Sequence, residues 1–330
     1  AGAMGDQLYL QEIDEALGEI RSRTGIEKLD LIGMDACLMS HIEVFTALAP
    51  HARYAVASQE TEPALGWAYT GFLYDLVRDP AMDGGQVSEL IVSTYIDEDQ
   101  RVVDDQARAE FVGAGRSGTI SAQQLTKRLE DNITLTAVDL SAMPSLTNAV
   151  NDFSYALSGT GQKAIAKART YAQSYTSIFG KQVPPSYIDL GHFAQHAVEQ
   201  SQDRDLVASA QAVLDGIGQA VIAERHGGNK SGSTGISIYF PNSQLYGSPV
   251  AGPQSYNAVA SRFANESLWD DFLAYHYTGR TFDPAPVPAE VSARSATVVA
   301  PGKGEITVSA VEQSADAVAP GETVLLLSLI

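Results

Sequence analysis

An α/β protein, with a largely parallel sheet covered by helices on both faces, is what this sequence predicts, on three observations. Short apolar runs alternate with amphipathic stretches in strand, helix, strand, helix order. The 330 residues suffice for one large core or two smaller ones. No apolar run approaches the roughly 20 residues of a membrane span, so the apolar segments belong to a folded interior.

The elements follow in order. Asp6 to Arg23 places Leu8, Leu10, Ile13, Leu17 and Ile20 at helical spacing with acids between them, and Gly25 ends that helix. Lys28 to Met34 is a short, mostly apolar strand, followed by Asp35-Ala36-Cys37 and a helix from Ser40 to Leu48 that Pro50 stops. Arg53 to Ser58 is a second strand and Gln59 to Tyr69 a loop, before helices over Phe72–Leu76 and Val87–Asp97. Asp97 to Asn132 is strongly polar, contains Gly113-Ala114-Gly115-Arg116-Ser117-Gly118, and reads as an exposed, mobile excursion. Thr134–Leu140 fits a strand, and two or three amphipathic helices fit Met143 to Ile178. Pro184-Pro185 marks a turn, Tyr187–Val198 and Leu206–Glu224 read as helices, and Gly235 to Phe240 is a strand stopped by Pro241. A last helix lies near Leu268–Tyr275. These segments group into a catalytic α/β region over 1–132 and a helical C-terminal subdomain with a return strand over 133–280. A Pro-rich linker then opens a small β module over 281–330.

Charge narrows the function. Lys+Arg 21 against Asp+Glu 40 gives a net charge of −19, which repels nucleic acid and anionic lipid and favours a cationic partner. The single cysteine allows no internal disulfide. Cys37 stands at the carboxyl end of a buried strand just before a helix, where open α/β sheets place ligand crevices and the helix dipole favours thiolate. The competing reading is a small buried hydrophobe. Asp35, two residues earlier on the strand, points to the same side as Cys37. Its competing reading is a cap on the following helix. Ser58, Glu60 and Thr61 close the next strand and wall the same crevice, unless the acids there are loop charges.

Four segments carry a resemblance. Leu29-Asp30-Leu31-Ile32-Gly33-Met34-Asp35-Ala36-Cys37-Leu38-Met39 resembles the nucleophile block of clostripain-like cysteine peptidases, family C11 of clan CD. Ala57-Ser58-Gln59-Glu60-Thr61-Glu62-Pro63 with Gly66-Trp67 is similar to that family's second signature. Tyr187 to Phe193 and Gly235 to Pro241 are similar to its later landmarks. The resemblance spans roughly residues 6 to 276 and implies a caspase-like three-layer sandwich. It implies Cys37 as nucleophile in a Cys–His dyad, and Asp35 as the acid that receives arginine or lysine at P1. It also implies an exported bacterial enzyme, secreted or held at the cell surface or in the periplasm. Calcium is implied for some relatives, although nothing here matches an EF-hand loop, no metal ligands are assigned, and no cofactor is demanded by the sequence.

The family's histidine precedes its cysteine, on the preceding strand in a His-Gly pair. None of the 36 residues before Cys37 is histidine. The expectation is a processed heavy chain whose partner is a light chain carrying His-Gly, the small residues Ala1 to Gly5 marking the cut loop; simple truncation is the other explanation. Among the histidines present, His226-Gly227 has the dipeptide but opens a Gly/Asn/Ser-rich loop. His41 reads as a helix-face residue directed away from the crevice, and His192 with His196 as an i, i+4 pair without further ligands. His51 and His276 read as loop and helix-end residues. Two other classes stay open: an inactive peptidase fold used for binding or structure, and a cysteine hydrolase that uses His226.

Overall fold

The alternation of apolar residues along three neighbouring strands decides the architecture. The computed structural model describes residues 8–113, 120–178 and 182–281. A helix α1 (Leu10–Thr24) ends at Gly25, whose φ of 74° is the left-handed conformation that glycine adopts without a Cβ penalty. Then come β1 (Leu29–Met34), α2 (Ile42–Leu48) and β2 (Ala52–Ala57). Helices α3 (Tyr69–Arg78), α4 (Gly84–Thr94), α5 (Gln100–Val103), α6 (Asp105–Val112) and α7 (Ala122–Glu130) lead to β3 (Thr134–Asp139). Beyond it lie α8 (Met143–Gly159), α9 (Gln162–Tyr171), β4 (Tyr187–Asp189), α10 (Leu190–Ser201), α11 (Arg204–Ala220), β5 (Val221–His226) and β6 (Ser237–Tyr239). Four helices close the described chain: α12 (Ser243–Tyr246), α13 (Pro253–Val259), α14 (Ser261–Glu266) and α15 (Trp269–Thr278).

The main sheet has the order β1-β2-β3-β5. Ile32, Met34, Ala55, Ala57 and Val138 face one core, which α2, α8, α10 and α11 cover. Val56, Leu135 and Ala137 face a second core, which Trp67, Phe72, Ile91, Tyr95 and Leu125 cover from the other side. Successive strand residues alternate between the two, giving a helix, sheet, helix sandwich of the expected α/β class.

Several expectations change in detail. The pairing is mixed: β1 and β2 are parallel, whereas β3 runs antiparallel to both β2 and β5. β1, β2 and β5 therefore point the same way, and their carboxyl ends share one rim with the start of β3. β3 and β5 belong to the same sheet as β1, and residues on both sides of 132/133 share one core. The polar stretch 97–132 is not an excursion. It forms α5, α6 and α7 and buries Val102 and Leu125, because its few apolar residues fall on one helix face; residues 114–119 lie outside the described ones. Val221–Arg225 extends as a strand where helix was expected, since pairing with β3 outweighs local preference. Tyr187–Asp189 is likewise a strand, paired with β6, before α10 begins. The tail expected as linker and β module lies outside the described residues from 282 onward.

Candidate active site

The site is built at the carboxyl rim of β1 and β2. After Met34 the chain turns through Asp35-Ala36-Cys37, and Leu38 adopts φ 60°. A left-handed leucine costs on the order of 1–2 kcal/mol, so its surroundings must fix it. They do: the Leu38 N–H donates to the Glu60 carbonyl at 3.1 Å, and those of Met39 and Ser40 donate to the Ser58 carbonyl, each at 2.8 Å. Ser40 Oγ donates to the Gly235 carbonyl at 2.6 Å and Ser237 N–H to the Ser40 carbonyl at 2.9 Å, tying the turn to β6. The turn thrusts Cys37 outward, where it is exposed, so it is not the small buried hydrophobe that competed at the outset. The Glu62 N–H donates to the Cys37 Sγ at 3.3 Å.

Asp35 is half-buried and caps no helix. Its Oδ2 accepts the Trp67 N–H at 3.3 Å. Gly66 packs so closely on this carboxylate that a Cβ there would stand 2.7 Å from Oδ2, and its φ of 65° adds a second requirement for glycine. Glu62 lies against the Asp35 carboxyl, and its Oε1 accepts the Trp67 indole N–H at 3.2 Å. Burial, then the hydrogen bond and charge of Asp35, push the Glu62 carboxyl far above the usual range. Tyr95, fully buried beneath, has its phenol pushed up by burial and by the charges of Glu62, Asp35 and Cys37. Thiol and acids are thus neighbours, brought together by the turn beyond β1 and not by strand alternation, since β1 ends at Met34.

The other residues expected to wall the crevice divide. Ser58 is fully buried, donating to the Glu60 carbonyl at 3.0 Å and paired with Thr134 Oγ1 at 2.9 Å. Glu60 is also buried. It takes a 2.5 Å bond from Lys230 Nζ and accepts the backbone N–H groups of Thr61 at 2.7 Å and Thr176 at 3.2 Å. Burial opposes its ionisation, but these donors win and hold its carboxyl below the usual range. Ser58 and Glu60 therefore brace the loop instead of facing the crevice: each lies inward at the strand end with its oxygens already spent. Thr61 is exposed beside them. Sequence reasoning weighed Glu62 with Glu60 as a loop charge and passed over Trp67 and Tyr95 beside them. The available signal was an acid five residues before a tryptophan whose indole N–H, once buried, needs an acceptor.

A cavity of about 430 Å³ opens next to Cys37, between the end of β1, the start of α1 and α13. His41 and Glu43 line it. His41 thus faces the same cavity as the thiol, against expectation, because it caps α2 in extended conformation instead of riding on its face. It stacks on Tyr187 with ring centroids 3.9 Å apart, and its Nε2 is buried without a partner among the described residues. Burial lowers its pKa to about 3, so it is a poor proton acceptor. His226 ends β5, three strands from β1 and hence about 14 Å away across the sheet. Its Nδ1 is engaged by Glu224 at 2.8 Å. His51 pairs with Asp14 at 2.6 Å, and His276 with Gln162, also at 2.6 Å. His192 Nδ1 accepts the Gln173 N–H at 3.0 Å.

Among the described residues no three His, Cys, Asp or Glu side chains gather as a metal site. The acids that could have served calcium are engaged: Asp97 with Arg225, Asp99 with Arg101, Asp105 with Arg108, and Asp104 as the cap of α6.

A search of curated proteins finds no match. A cysteine protease from B. fragilis shares 18% identity, over 80% of this chain and 96% of that one, with a TM-score of 0.48. A secreted C11 cysteine protease from Bacteroides thetaiotaomicron, solved with an irreversible peptide inhibitor, shares 16% identity over 78% of this chain and 63% of that one, with a TM-score of 0.48. An inactive zymogen C11 protease from Parabacteroides distasonis shares 14% over 78% and 62%, with a TM-score of 0.45. The clostripain family profile matches residues 2–276, most of the sequence, and the chain belongs to that family of cysteine peptidases.

Proposed function

We propose that this chain supplies the nucleophile and the P1 pocket of a cysteine endopeptidase that cleaves after arginine or lysine. The observation that carries the reading is an exposed thiol at a strand end with the Asp35 carboxylate half-buried beside it. A carboxylate already partly out of water attracts a guanidinium or ammonium more strongly than a solvated one. Cys37 thiolate attacks the scissile carbonyl carbon, and the carbonyl oxygen takes the negative charge. The Leu38, Met39 and Ser40 N–H groups are spent on the turn, and the oxyanion is assigned to the N–H of Cys37. A histidine protonates the leaving amine. Water then attacks the thioester, releases the acid and restores the thiol.

That histidine is assigned to a light chain or removed amino-terminal segment with a His-Gly pair, whose glycine N–H adds a second oxyanion donor. Two facts support this. His41 is the histidine that shares the Cys37 cavity, and it is too weak a base. β1 pairs on one side only among the described strands, so its other edge can accept a strand. A P1 preference for basic residues would let the enzyme cut its own inter-chain loop. Export from a bacterial cell belongs to the same proposal by family likeness. No step uses a cofactor.

The test is kcat/KM on peptides that differ only at P1. Asp35→Asn should lower cleavage after Arg by about a hundredfold, as loss of a charge-assisted pair does, and leave cleavage after Leu within a few fold. Equal losses on both peptides, or none, would refute the P1 assignment.

A further inference from the structure

Glu62 is a half-buried acid that the reaction above leaves unused. Its Oε1 is held by the Trp67 indole, while its Oε2 is buried with no hydrogen-bond partner among the described residues. The Asp35 carboxyl lies against it. Its backbone N–H meets the Cys37 sulfur. One residue thus touches the nucleophile through its backbone and the pocket acid through its side chain. Two carboxyls in contact repel when both are ionised, burial deepens the conflict, and Arg101, the cation whose charge reaches Asp35, is already paired with Asp99. A proton on Glu62, donated to Asp35, resolves it and satisfies the orphaned oxygen.

We propose that Glu62 is the second acid of the P1 pocket, forming with Asp35 a two-carboxyl clamp for the cation of the P1 side chain; the proposal rests on the basic-P1 reading above. When the cation enters, the Glu62 O–H bond breaks, its proton passes to solvent, and both carboxylates stand ionised against one positive group. A planar guanidinium offers donors along two edges and can serve both carboxyls, whereas an ammonium is a single point of charge, so the clamp favours arginine over lysine. The charged and titratable neighbours are few. Asp35 and Cys37 come from the turn after β1, and Tyr95 follows α4. Glu60 on the same loop is neutralised by Lys230. Arg101 is held by Asp99 and the Leu65 carbonyl, and Arg225 donates to the Tyr95 carbonyl at 2.6 Å. The Asp35 charge reaches Arg101, but neither arginine has a hydrogen bond to Glu62 among the described residues, so that carboxyl is open to the incoming cation.

Benzamidine, a planar cation resembling the arginine head group, gives the test on the full-length protein without needing turnover. Binding is followed by fluorescence of Trp67, one of two tryptophans, and by calorimetry in buffers of different ionisation enthalpy between about pH 6 and pH 8. We expect release of about one proton per benzamidine and an affinity that tightens by up to tenfold per pH unit. Glu62→Gln keeps the Trp67 bond and a donor toward Asp35 but cannot ionise. It should release no proton, lose the pH slope and bind about tenfold more weakly at pH 8. Glu62→Asp should restore part of the release. Wild-type binding without proton release overturns the clamp and needs no variant to show it. So does Glu62→Gln binding with wild-type affinity and slope. If Asp35→Asn then still abolishes binding, the P1 reading survives and only the clamp is lost. If benzamidine binds nowhere and Asp35→Asn leaves cleavage after Arg intact, the P1 reading falls and the clamp with it.

Discussion

Glu43 shows what a single buried acid does to this protein. It sits on α2 at 4% exposure, accepts the Tyr239 N–H and the Tyr256 hydroxyl at 3.0 Å each, and leaves Oε2 without a partner. Burial is the first cause of its pKa rising from 4.5 to about 7, with those donors only moderating it. The folded state therefore holds a proton that the unfolded chain has lost above pH 4.5. Native protein binds more protons, so its stability falls as pH rises. The contribution is fully present below about pH 4.5 and is lost as pH approaches 7. Its size is on the order of 3 kcal/mol, from the stated shift at about 1.4 kcal/mol per unit. Glu43→Gln should remove that part of the decline between pH 4.5 and 7, as read from urea unfolding at several pH values. An unchanged slope would show that Glu43 ionises freely in the folded protein.

At the scale of elements, the site is a contact between β1 and the loop after β2. Gly33 faces Trp67 across that contact, and a Cβ there would stand 2.7 Å from the indole ring. Trp67 is 1% exposed and has nowhere to retreat. Gly33→Ala should cost about 1–3 kcal/mol by overpacking and, because Trp67 holds both Glu62 and Asp35, lower kcat/KM while shifting tryptophan emission. Wild-type melting and emission would mean that the ring is not packed on β1. The same contact shows what was legible in the sequence. β1 and Cys37 could be read because an apolar strand ending in Asp-Ala-Cys is a local pattern; the expectation for Asp35 rested on strand parity, whereas residues 35–37 lie in the turn after β1. Glu62 could not be ranked above Glu60 from the chain alone. Both are loop acids, and only tertiary placement gives one a lysine and the other a second carboxyl. β5 was misread for a similar reason: Val221–Arg225 continues the helical pattern of α11, and its strand character comes from β3, far away in sequence. The direction of β3, and with it the mixed pairing, is a property of the long α3–α7 connection and leaves no periodic trace.

For the whole molecule, three unsatisfied features coincide. β1 has one edge with no strand among the described residues, a cavity of about 430 Å³ opens beside Cys37, and His41 and Glu43 turn buried orphan atoms in its lining. A strand added along β1 would close the edge and could carry a histidine toward the exposed sulfur. Base assistance is worth about a hundred- to ten-thousandfold, so the difference between the chain alone and the chain with that segment should be large. An arginine acyloxymethyl ketone should label this chain slowly by itself. With an amino-terminal polypeptide carrying His-Gly, labelling should be at least about a hundredfold faster, intact mass locating the adduct on Cys37. Cys37→Ala should abolish the adduct, and His226→Ala should leave its rate unchanged, since that ring lies three strands away and bonds to Glu224. Rapid labelling of the isolated chain would place the base within it, and loss of that rate in His226→Ala would identify which histidine serves.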